Sequence, residues 1–508
     1  MKLKRLALTA GSGVLLALAF PDPHWSWLAW VALVPLLVVA LEVRPGAAFG
    51  WGFLQGAVFY SITLEWLYAF FRSYGRMAVW ESVSVLGLMV AVLSLFTAGY
   101  ALGVRLMRRS GVGWALAISP FLWTALELGR THMPAIGFPW NLLGYAVSDH
   151  LGLVQLVTLT GIYGLSFVVA GYNALVLWAW RERRRKPVAI WAGVTVALLL
   201  VIGVGGLFVP KPVGRETAHL IQLNLPPETD YGANWEQRHA AELNALDKLS
   251  IEAGRSAPGL VIWPEAPAPF SMSDPLFAAR ARKIARETDS EFLVGVDHWR
   301  FPPGHTPLVF NSAVMVNPKG QEVFRYNKIH LVPFGEYVPW RKYLTFARNL
   351  IGGVGDFTPG KKLSVGQLDG GKTFSVFICY ESIFPNEVRK FVDRGADLLI
   401  NISDDGWYGH SEALVQDLNM ARVRAVENRR WLLRDTNTGV TVAVDPYGRI
   451  RARLPEDVRA ALTVHYNFRS GRTLYTRWGD WWPRLAGLIA CLALVWNFAR
   501  RRPPLRVG

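Results

Sequence analysis

The sequence predicts a bundle of eight transmembrane helices combined with one extracytoplasmic α/β domain. Hydrophobic residues make up 52% of the 508-residue chain, and eight apolar runs are long enough to span a bilayer. One long hydrophilic stretch, residues 211–480, separates the seventh run from the eighth. Strand-like and helix-like segments alternate within that stretch, which is typical of a layered α/β domain.

The apolar runs and the charges between them predict the topology. The runs lie near residues 5–20, 25–43, 47–70, 80–104, 112–128, 153–180, 187–209 and 482–499. The segments on the same side of the predicted membrane as the N-terminus carry 16 basic residues, whereas the short loops on the opposite side carry three. The positive-inside rule therefore predicts both termini in the cytoplasm and the hydrophilic stretch outside it. The first run also has features of a signal peptide, but seven further spans favour a retained helix.

Three domains follow from this pattern. Residues 1–210 form a membrane domain of seven helices, residues 211–480 form the soluble domain, and residues 481–508 form the last helix with a cytoplasmic tail. Residues 215–480 hold 33 basic and 31 acidic side chains, so nearly all of the net charge of +16 belongs to the membrane part. There it sets orientation and contacts anionic lipid, and it is no evidence for binding nucleic acid. Two cysteines exclude a disulfide framework.

The soluble domain shows period-2 runs of β-branched residues between amphipathic stretches. Strands are predicted at 219–223, 260–263, 292–296, 312–316, 374–378, 398–402, 431–435, 440–444 and 461–465. Helices are predicted at 235–252, 275–287, 385–394 and 413–427. Two segments that connect predicted helices or strands are unusually apolar for loops. Residues 133–145, between two spans, are expected to lie along the membrane surface. Residues 329–357 are expected to form a lid or binding loop, and both are candidates for a lipid portal.

Cys379 ends a strand-like run in the soluble domain, whereas Cys491 lies in the last apolar helix, so the two are not expected to pair. A lone cysteine is by default a small buried hydrophobe. Here Glu265 and Lys328 end similar strand-like segments and supply a carboxylate and an ammonium. A carboxylate can take the thiol proton during attack, and an ammonium can stabilise the thiolate and the developing oxyanion. The combination predicts a cysteine nucleophile, with the backbone N–H of Tyr380 as a further oxyanion donor.

The motifs around these residues resemble those of a known family. Glu265 in Trp-Pro-Glu-Ala, Lys328 in Tyr-Asn-Lys-Ile-His and Cys379 in Ile-Cys-Tyr-Glu resemble the Glu-Lys-Cys triad of the nitrilase (carbon–nitrogen hydrolase) superfamily. Residues 331–339, Leu-Val-Pro-Phe-Gly-Glu-Tyr-Val-Pro, and residues 137–140, Gly-Phe-Pro-Trp, resemble segments of the apolipoprotein N-acyltransferases. The resemblance implies an αββα sandwich on the periplasmic face of a bacterial inner membrane.

The resemblance also implies a reaction. The acyl chain of a phospholipid, with phosphatidylethanolamine as the expected donor, would pass to Cys379 as a thioester. The α-amino group of the S-diacylglyceryl cysteine that begins an apolipoprotein would then accept it. Glu265 would be the general base and then acid, and Lys328 would stabilise the tetrahedral intermediates. The resemblance implies no cofactor and no nucleic acid partner.

Four further residues match family positions and are expected to support the site. Glu336 lies near the lysine, and a role in the site is favoured over the alternative of an ordinary solvated loop carboxylate. Tyr380 and Glu381 flank the nucleophile, and Glu381 is expected either to act in the site or to hold Lys328 or a backbone amide in place. Trp235 resembles a family tryptophan on a mobile loop near the site, through a looser motif.

Two other functions compete with this interpretation. A membrane-anchored amidase or nitrilase would use the same three residues on a small nitrogenous substrate, but would not need the apolar insertion. A transporter or scaffold would depend instead on Glu65 or Glu127, which lie in apolar spans where ionisable residues are candidates for function. Both also lie near an interface, where simple hydration is the alternative to a function, so no role is assigned to either. The histidines lack metal-ligand spacing, so no metal site is predicted.

Overall fold

A computed structural model describes residues 1–21, 23–73, 75, 77–133, 137–225, 235–337, 357–368 and 370–499. The chain divides into two compact units. The helical unit comprises residues 1–68, 80–209 and 478–508, and the α/β unit comprises residues 69–79 and 210–477.

The described α-helices are α1 (Lys2–Leu18), α2 (Val34–Glu42), α3 (Pro45–Thr63), α4 (Trp66–Ser73), α5 (Val79–Met107), α6 (Val112–Thr131), α7 (Leu151–Val154), α8 (Val157–Thr160), α9 (Ile162–Glu182), α10 (Arg185–Gly203), α11 (Trp235–Arg238), α12 (Ala240–Ser256), α13 (Pro275–Thr288), α14 (Pro385–Asp393), α15 (Ala413–Asn428), α16 (Leu474–Trp478) and α17 (Trp481–Ala499).

Among the described residues, five helices are long and apolar enough to cross a membrane, and α3 with α4 makes a sixth if this pair, bent by 56°, is one span. The five helices are Val79–Ser110, Val112–Thr131, Ile162–Glu182, Arg185–Gly203 and Trp481–Ala499. The first predicted span is the 17-residue α1, and the second is a 3₁₀ turn followed by the short α2. The run at 153–180 is broken at Gly161, whose φ is +65°. Several apolar helices are therefore found, and the count of eight stays a prediction.

The apolar loop after α6 packs inside the helical unit from residue 137 onward. Trp140 is buried, and its ring stacks on Phe138 with centroids 5.7 Å apart. The buried Glu127 accepts hydrogen bonds from Trp123 Nε1 at 2.9 Å and from the amide of Leu143 at 2.7 Å. The described part of the loop is therefore packed among aromatic side chains and amides of its own unit, and the expectation that it lies along the membrane surface stays a prediction.

The strands of the α/β unit are β1 (Glu216–Gln222), β2 (Leu260–Ile262), β3 (Glu291–Arg300), β4 (Leu308–Val316), β5 (Glu322–Asn327), β6 (Gly366–Gln367), β7 (Thr373–Ile378), β8 (Leu398–Ser403), β9 (Leu432–Thr436), β10 (Val442–Val444), β11 (Ile450–Arg453) and β12 (Ala460–Tyr466). They form two six-stranded sheets, ordered β12-β1-β2-β3-β4-β5 and β11-β10-β9-β8-β7-β6. The central strands of each sheet are parallel and the outer ones antiparallel.

Helices cover the outer face of each sheet. Leu246 of α12 and Ile284 of α13 are fully buried in one apolar cluster with Phe292 of the first sheet. On the second sheet α14 buries Val388 and Phe391 beside α15. The two sheets meet face to face, and the amide of Ile221 in β1 donates to Asp435 in β9 at 3.2 Å. The unit is therefore the αββα sandwich that the resemblance implied.

Candidate active site

Four residues of the candidate site follow the ends of four strands. Glu265 lies three residues after β2, Lys328 directly follows β5, Cys379 directly follows β7 and Asp404 directly follows β8. Strands β2 and β3 run parallel, and β5 returns to that direction through the antiparallel β4. The ends of β2 and β5 therefore lie at the same edge of the first sheet. Asp404 donates its amide to Glu265 Oε2 at 2.9 Å, which joins this edge to the end of β8 in the second sheet.

Lys328 is the centre of the charged cluster. Its side chain is 1% exposed, and Nζ lies 3.1 Å from Glu265 Oε1 and 2.9 Å from Glu336 Oε1. Burial lowers the pKa of the ammonium, but Glu265, Glu336 and the Cys379 sulfur outweigh this effect and raise it well above its ordinary value. The group therefore stays charged throughout the accessible pH range and supplies a fixed positive charge to the site.

Glu265 is held in one orientation by donors on both oxygens. Besides Lys328, Oε1 accepts from Asn311 Nδ2 at 2.6 Å, while Oε2 accepts the amide of Asp404. The loop that carries Glu265 lies directly against Gly295 of β3. A Cβ on Gly295 would lie 2.5 Å from the Ala266 nitrogen and 2.7 Å from the Glu265 Cα. Only a glycine permits this approach, so the position of the carboxylate depends on a residue without a side chain.

Cys379 adopts a left-handed backbone conformation with φ of +48°. It begins a 3₁₀ turn, Cys379–Ile383, directly after β7. Non-glycine residues in this region are uncommon and are often found where a side chain must be presented to a site. Burial and then Glu265 raise the pKa of the thiol well above its ordinary value, while Lys328 and a hydrogen bond with the Ser403 side chain lower it. A raised pKa favours the neutral thiol, so attack by this sulfur would require a base.

Glu336 is a buried participant in the cluster. Its side chain is 12% exposed, and Oε1 accepts from Lys328 Nζ and from Asn311 Nδ2 at 2.8 Å. The other oxygen accepts the amide of Val332 at 2.7 Å, which closes the loop onto itself. The alternative of a solvated loop carboxylate was wrong, because three donors face this group. Residues 338–356, the rest of the expected lid, lie outside the described residues.

Glu381 holds the backbone directly before Cys379 and directly after Lys328. Its fully buried carboxylate accepts from the amides of Ile329 at 2.6 Å and His330 at 3.2 Å, and from the amide of Ile378 at 2.7 Å. Tyr326 donates its hydroxyl at 2.7 Å. Burial, and then Glu387, raise the pKa of Glu381 to about 7. Of the two roles expected for it, these contacts fit that of holding backbone amides next to Lys328 and Cys379.

The two aromatic candidates lie in different surroundings. Tyr380 is buried and packs edge-on against Phe384, with ring centroids 5.3 Å apart. Burial and then Tyr337 raise the pKa of its phenol, and Lys328 lowers it, so Tyr380 lies close to the charged cluster. Trp235 begins α11 and is buried in the apolar core, where it stacks on His239 and meets Phe270 edge-on. Its expected role beside the triad stays a prediction.

A fully buried ionic network, which sequence reasoning missed, stands beside the cysteine. Arg434 Nη2 lies 2.8 Å from Asp405 Oδ1 and 2.8 Å from Asp417 Oδ2. Ser403 donates to Asp405 at 2.7 Å, and Ser382 donates to Asp417 at 2.6 Å. The network thus joins β8, β9, α15 and the 3₁₀ turn of the nucleophile. Its signal in the sequence is an Arg-Asp pair inside the apolar strand Leu-Leu-Arg-Asp-Thr.

Asn311 was also missed, although it touches both Glu265 and Glu336. The signal was a polar residue inside the apolar run Val-Phe-Asn-Ser-Ala-Val of β4. No group of three or more His, Cys, Asp or Glu side chains is arranged to hold a metal ion in the part of the chain that the structure describes. The arrangement supplies a base, a fixed cation and a thiol, which together suit acyl transfer through a covalent intermediate.

Two family models match the chain. The model for the apolipoprotein N-acyltransferase N-terminal domain matches residues 12–175, and the carbon-nitrogen hydrolase model matches residues 219–473. The chain is 38% identical over 497 residues to an apolipoprotein N-acyltransferase of Geobacter metallireducens, with 96% of this chain and 94% of that protein covered. Proteins of the same name from Azotobacter vinelandii (34%; 98% and 95% covered) and Methylococcus capsulatus (32%; 99% and 97% covered) are similar to it over comparable lengths.

Proposed function

The chain belongs to the apolipoprotein N-acyltransferases, and on this premise we propose that Glu265, Lys328 and Cys379 are its catalytic triad. The enzyme transfers a fatty acyl chain to the N-terminal amino group of apolipoproteins during lipoprotein maturation. The observation that carries the triad is the buried cluster in which the Cys379 sulfur is electrostatically coupled to both Glu265 and Lys328. The competing amidase function is less favoured, because the match to the N-terminal acyltransferase model covers the helical unit.

The first half-reaction forms the thioester. Glu265 removes the proton of the Cys379 thiol as the sulfur attacks the ester carbonyl carbon of the phospholipid. Lys328 and the Tyr380 amide stabilise the oxyanion of the tetrahedral intermediate. When the intermediate collapses, the C–O bond breaks and Glu265 returns its proton to the departing lysophospholipid oxygen. The high pKa of the buried thiol makes this base necessary.

The second half-reaction passes the acyl chain to the apolipoprotein. The neutral α-amine attacks the thioester carbon, a C–N bond forms and the C–S bond breaks. Glu265 accepts a proton from the attacking nitrogen and returns it to the Cys379 sulfur. Lys328, held by Glu265 and Glu336, stabilises the oxyanion of the tetrahedral intermediate in each half-reaction. One set of residues therefore supports a ping-pong reaction.

We propose that these steps occur at the periplasmic surface of the inner membrane, with eight spans and both termini in the cytoplasm. The 16 basic residues on one side of the apolar runs, against three on the other, support this orientation. Moving an acyl chain of about 15 methylenes into water would cost roughly 12 kcal/mol, at about 0.8 kcal/mol per CH₂. A site at the lipid surface avoids most of that cost. Phosphatidylethanolamine is the proposed donor.

The decisive test is detection of the acyl-enzyme. Purified protein incubated with phosphatidylethanolamine should gain the mass of one acyl chain on Cys379, and neutral hydroxylamine should remove it. Cys379→Ser should gain no hydroxylamine-labile adduct while binding the lipid equally well. A wild-type protein that never gains the adduct, or that releases ammonia from simple amides without lipid transfer, would contradict the proposal.

A further inference from the structure

Asp297 and Asn311 are two polar residues that face each other across the first sheet. They are directly paired in the antiparallel register of β3 and β4. Directly opposite residues share one face of a sheet, with Cβ atoms about 4.5–5.5 Å apart. Asn311 contacts Glu265 and Glu336, so the face that both residues share is the face of the active site. Neither residue has a part in the steps described above.

The orientation of the Asn311 amide is fixed by its neighbours. Nδ2 donates to Glu265 Oε1 and to Glu336 Oε1, and a rotated amide would set its oxygen against these two carboxylates instead. The Asn311 Oδ1 atom is thereby directed away from them. It is buried on a residue only 7% exposed, and it has no hydrogen-bond partner among the residues that the structure describes. A buried acceptor without a donor is costly and calls for an explanation.

Asp297 adds a second acceptor at the same place. Its amide donates to the Phe270 carbonyl at 2.7 Å, which fixes the strand there. Burial, followed by Glu265 and Glu336, raises the pKa of its carboxyl to about 7. Asp297 is thus the third carboxyl group in this region, while the ammonium of Lys328 is already engaged by Glu265 and Glu336. The excess of acceptors over donors suits a ligand that brings several N–H groups and a positive charge.

We propose that Asp297 and Asn311 form the subsite that binds the α-ammonium group of the acceptor, an inference that rests on the proposed function. The ammonium donates one hydrogen bond to Asn311 Oδ1 and another to Asp297. It then transfers a proton to the Asp297 carboxylate and becomes the neutral amine that attacks the thioester. The proton that this nitrogen loses on forming the amide passes through Glu265 to the Cys379 sulfur. Asp297 afterwards releases its own proton to water, which restores the resting site.

The two half-reactions separate this role from a structural one. In single-turnover experiments, acylation of Cys379 by phosphatidylethanolamine and transfer to a diacylglyceryl-cysteine peptide are timed separately. We expect Asp297→Asn to lower the ratio of transfer rate to acylation rate at least tenfold. Neutral hydroxylamine needs no ammonium subsite, so it should release the acyl chain from Asp297→Asn as fast as from wild type. Asp247→Asn, which removes a partly buried carboxylate of α12, is the matched control and should leave the ratio unchanged.

Each other outcome overturns a different claim. If Asp297→Asn slows both halves equally, slows neither, or loses the hydroxylamine reaction as well, the subsite is wrong while the triad stands. If wild type forms no adduct, the proposed function falls and the subsite with it. If Asp297→Asn forms no adduct, Asp297→Glu must show the unequal slowing, because it keeps the charge and moves it by one methylene; an unchanged ratio there overturns the subsite.

Discussion

The two units treat buried charge in different ways. In the helical unit, Glu127 accepts from a tryptophan and a backbone amide, and Arg130 donates to the Tyr60 hydroxyl at 2.6 Å. In the α/β unit, Lys328 and Arg434 each stand between two carboxylates. The first pattern gives charged side chains neutral hydrogen-bond partners and links α3 to α6 through Tyr60 and Arg130. The second sets opposite charges side by side, where each changes the reactivity of the next. The proposed triad lies in the α/β unit, where such paired charges are found.

The cysteines give the largest expected contrast between the units. Cys379→Ser should lower acyl transfer on the order of 10³-fold or more, because the nucleophile of a triad acts as part of a unit. Cys491→Ser, on an exposed position of α17, should change the rate less than about twofold, since surface substitutions have small effects. Transfer to a lipopeptide in detergent micelles measures both. A comparable loss in the two variants would end the assignment of chemistry to one unit.

Two glutamates provide the next contrast. Glu265→Gln removes the proposed base and should slow acylation roughly 10²–10⁴-fold, the usual contribution of general acid–base catalysis. Glu65→Gln alters an exposed residue at the break between α3 and α4 and should leave the rate within about twofold. Timed mass spectrometry of the Cys379 adduct gives both rates. If Glu65→Gln were the slower variant, the transporter or scaffold interpretation would return.

Stability should separate buried from exposed ion pairs. Arg434→Met leaves Asp405 and Asp417 buried without their cation and should cost about 3–5 kcal/mol. Arg181→Met breaks the partly exposed pair with Glu42 in the helical unit, 2.9 Å apart, and should cost about 0–1 kcal/mol. Thermal unfolding of each variant in the same detergent, followed by tryptophan fluorescence, measures the difference. Equal shifts in midpoint would contradict the distinction drawn between the units.

The smallest expected effect concerns the pH dependence of the thiol. Burial and Glu265 raise the pKa of Cys379, so its thiolate fraction is low near neutral pH and increases as pH rises. Lys328 lowers that pKa, and Lys328→Met should therefore slow alkylation by iodoacetamide at any fixed pH below it. A Cys491→Ser background ensures that the measured label reports Cys379 alone. A Lys328→Met variant that reacts faster would contradict the coupling.

Much of this fold could be predicted from the sequence because buried strands are visible as short apolar runs. Nine of the twelve described strands and the helices α12 to α15 lie where apolar periodicity indicated. The sequence missed β5, whose Glu-Val-Phe-Arg-Tyr-Asn pattern is charged at an exposed edge, together with the short β6 and β11. The span pattern was harder, because hydropathy alone does not register the break at Gly161.

Residues of the candidate site could be predicted only where a recognisable sequence motif surrounds them. Glu265, Lys328 and Cys379 were found because their flanking residues resemble a family. Asn311 and Arg434 were missed because their importance lies in what stands across from them. The register between strands and the packing between sheets determine which residues contact Asn311 and Arg434. Local periodicity in the sequence reveals neither. The sequence signal for such a buried contact is a lone polar residue inside an apolar strand.

The close packing of the Glu265 loop against Gly295 has a consequence for how this enzyme could lose activity. A methyl group there would collide with the loop of Glu265 and not with the core, so its cost would fall on the base. We expect an alanine at this position to displace the loop of Glu265 and to slow formation of the Cys379 adduct. Such a substitution adds no charge and removes no reactive atom, so a search confined to chemically active side chains would overlook it.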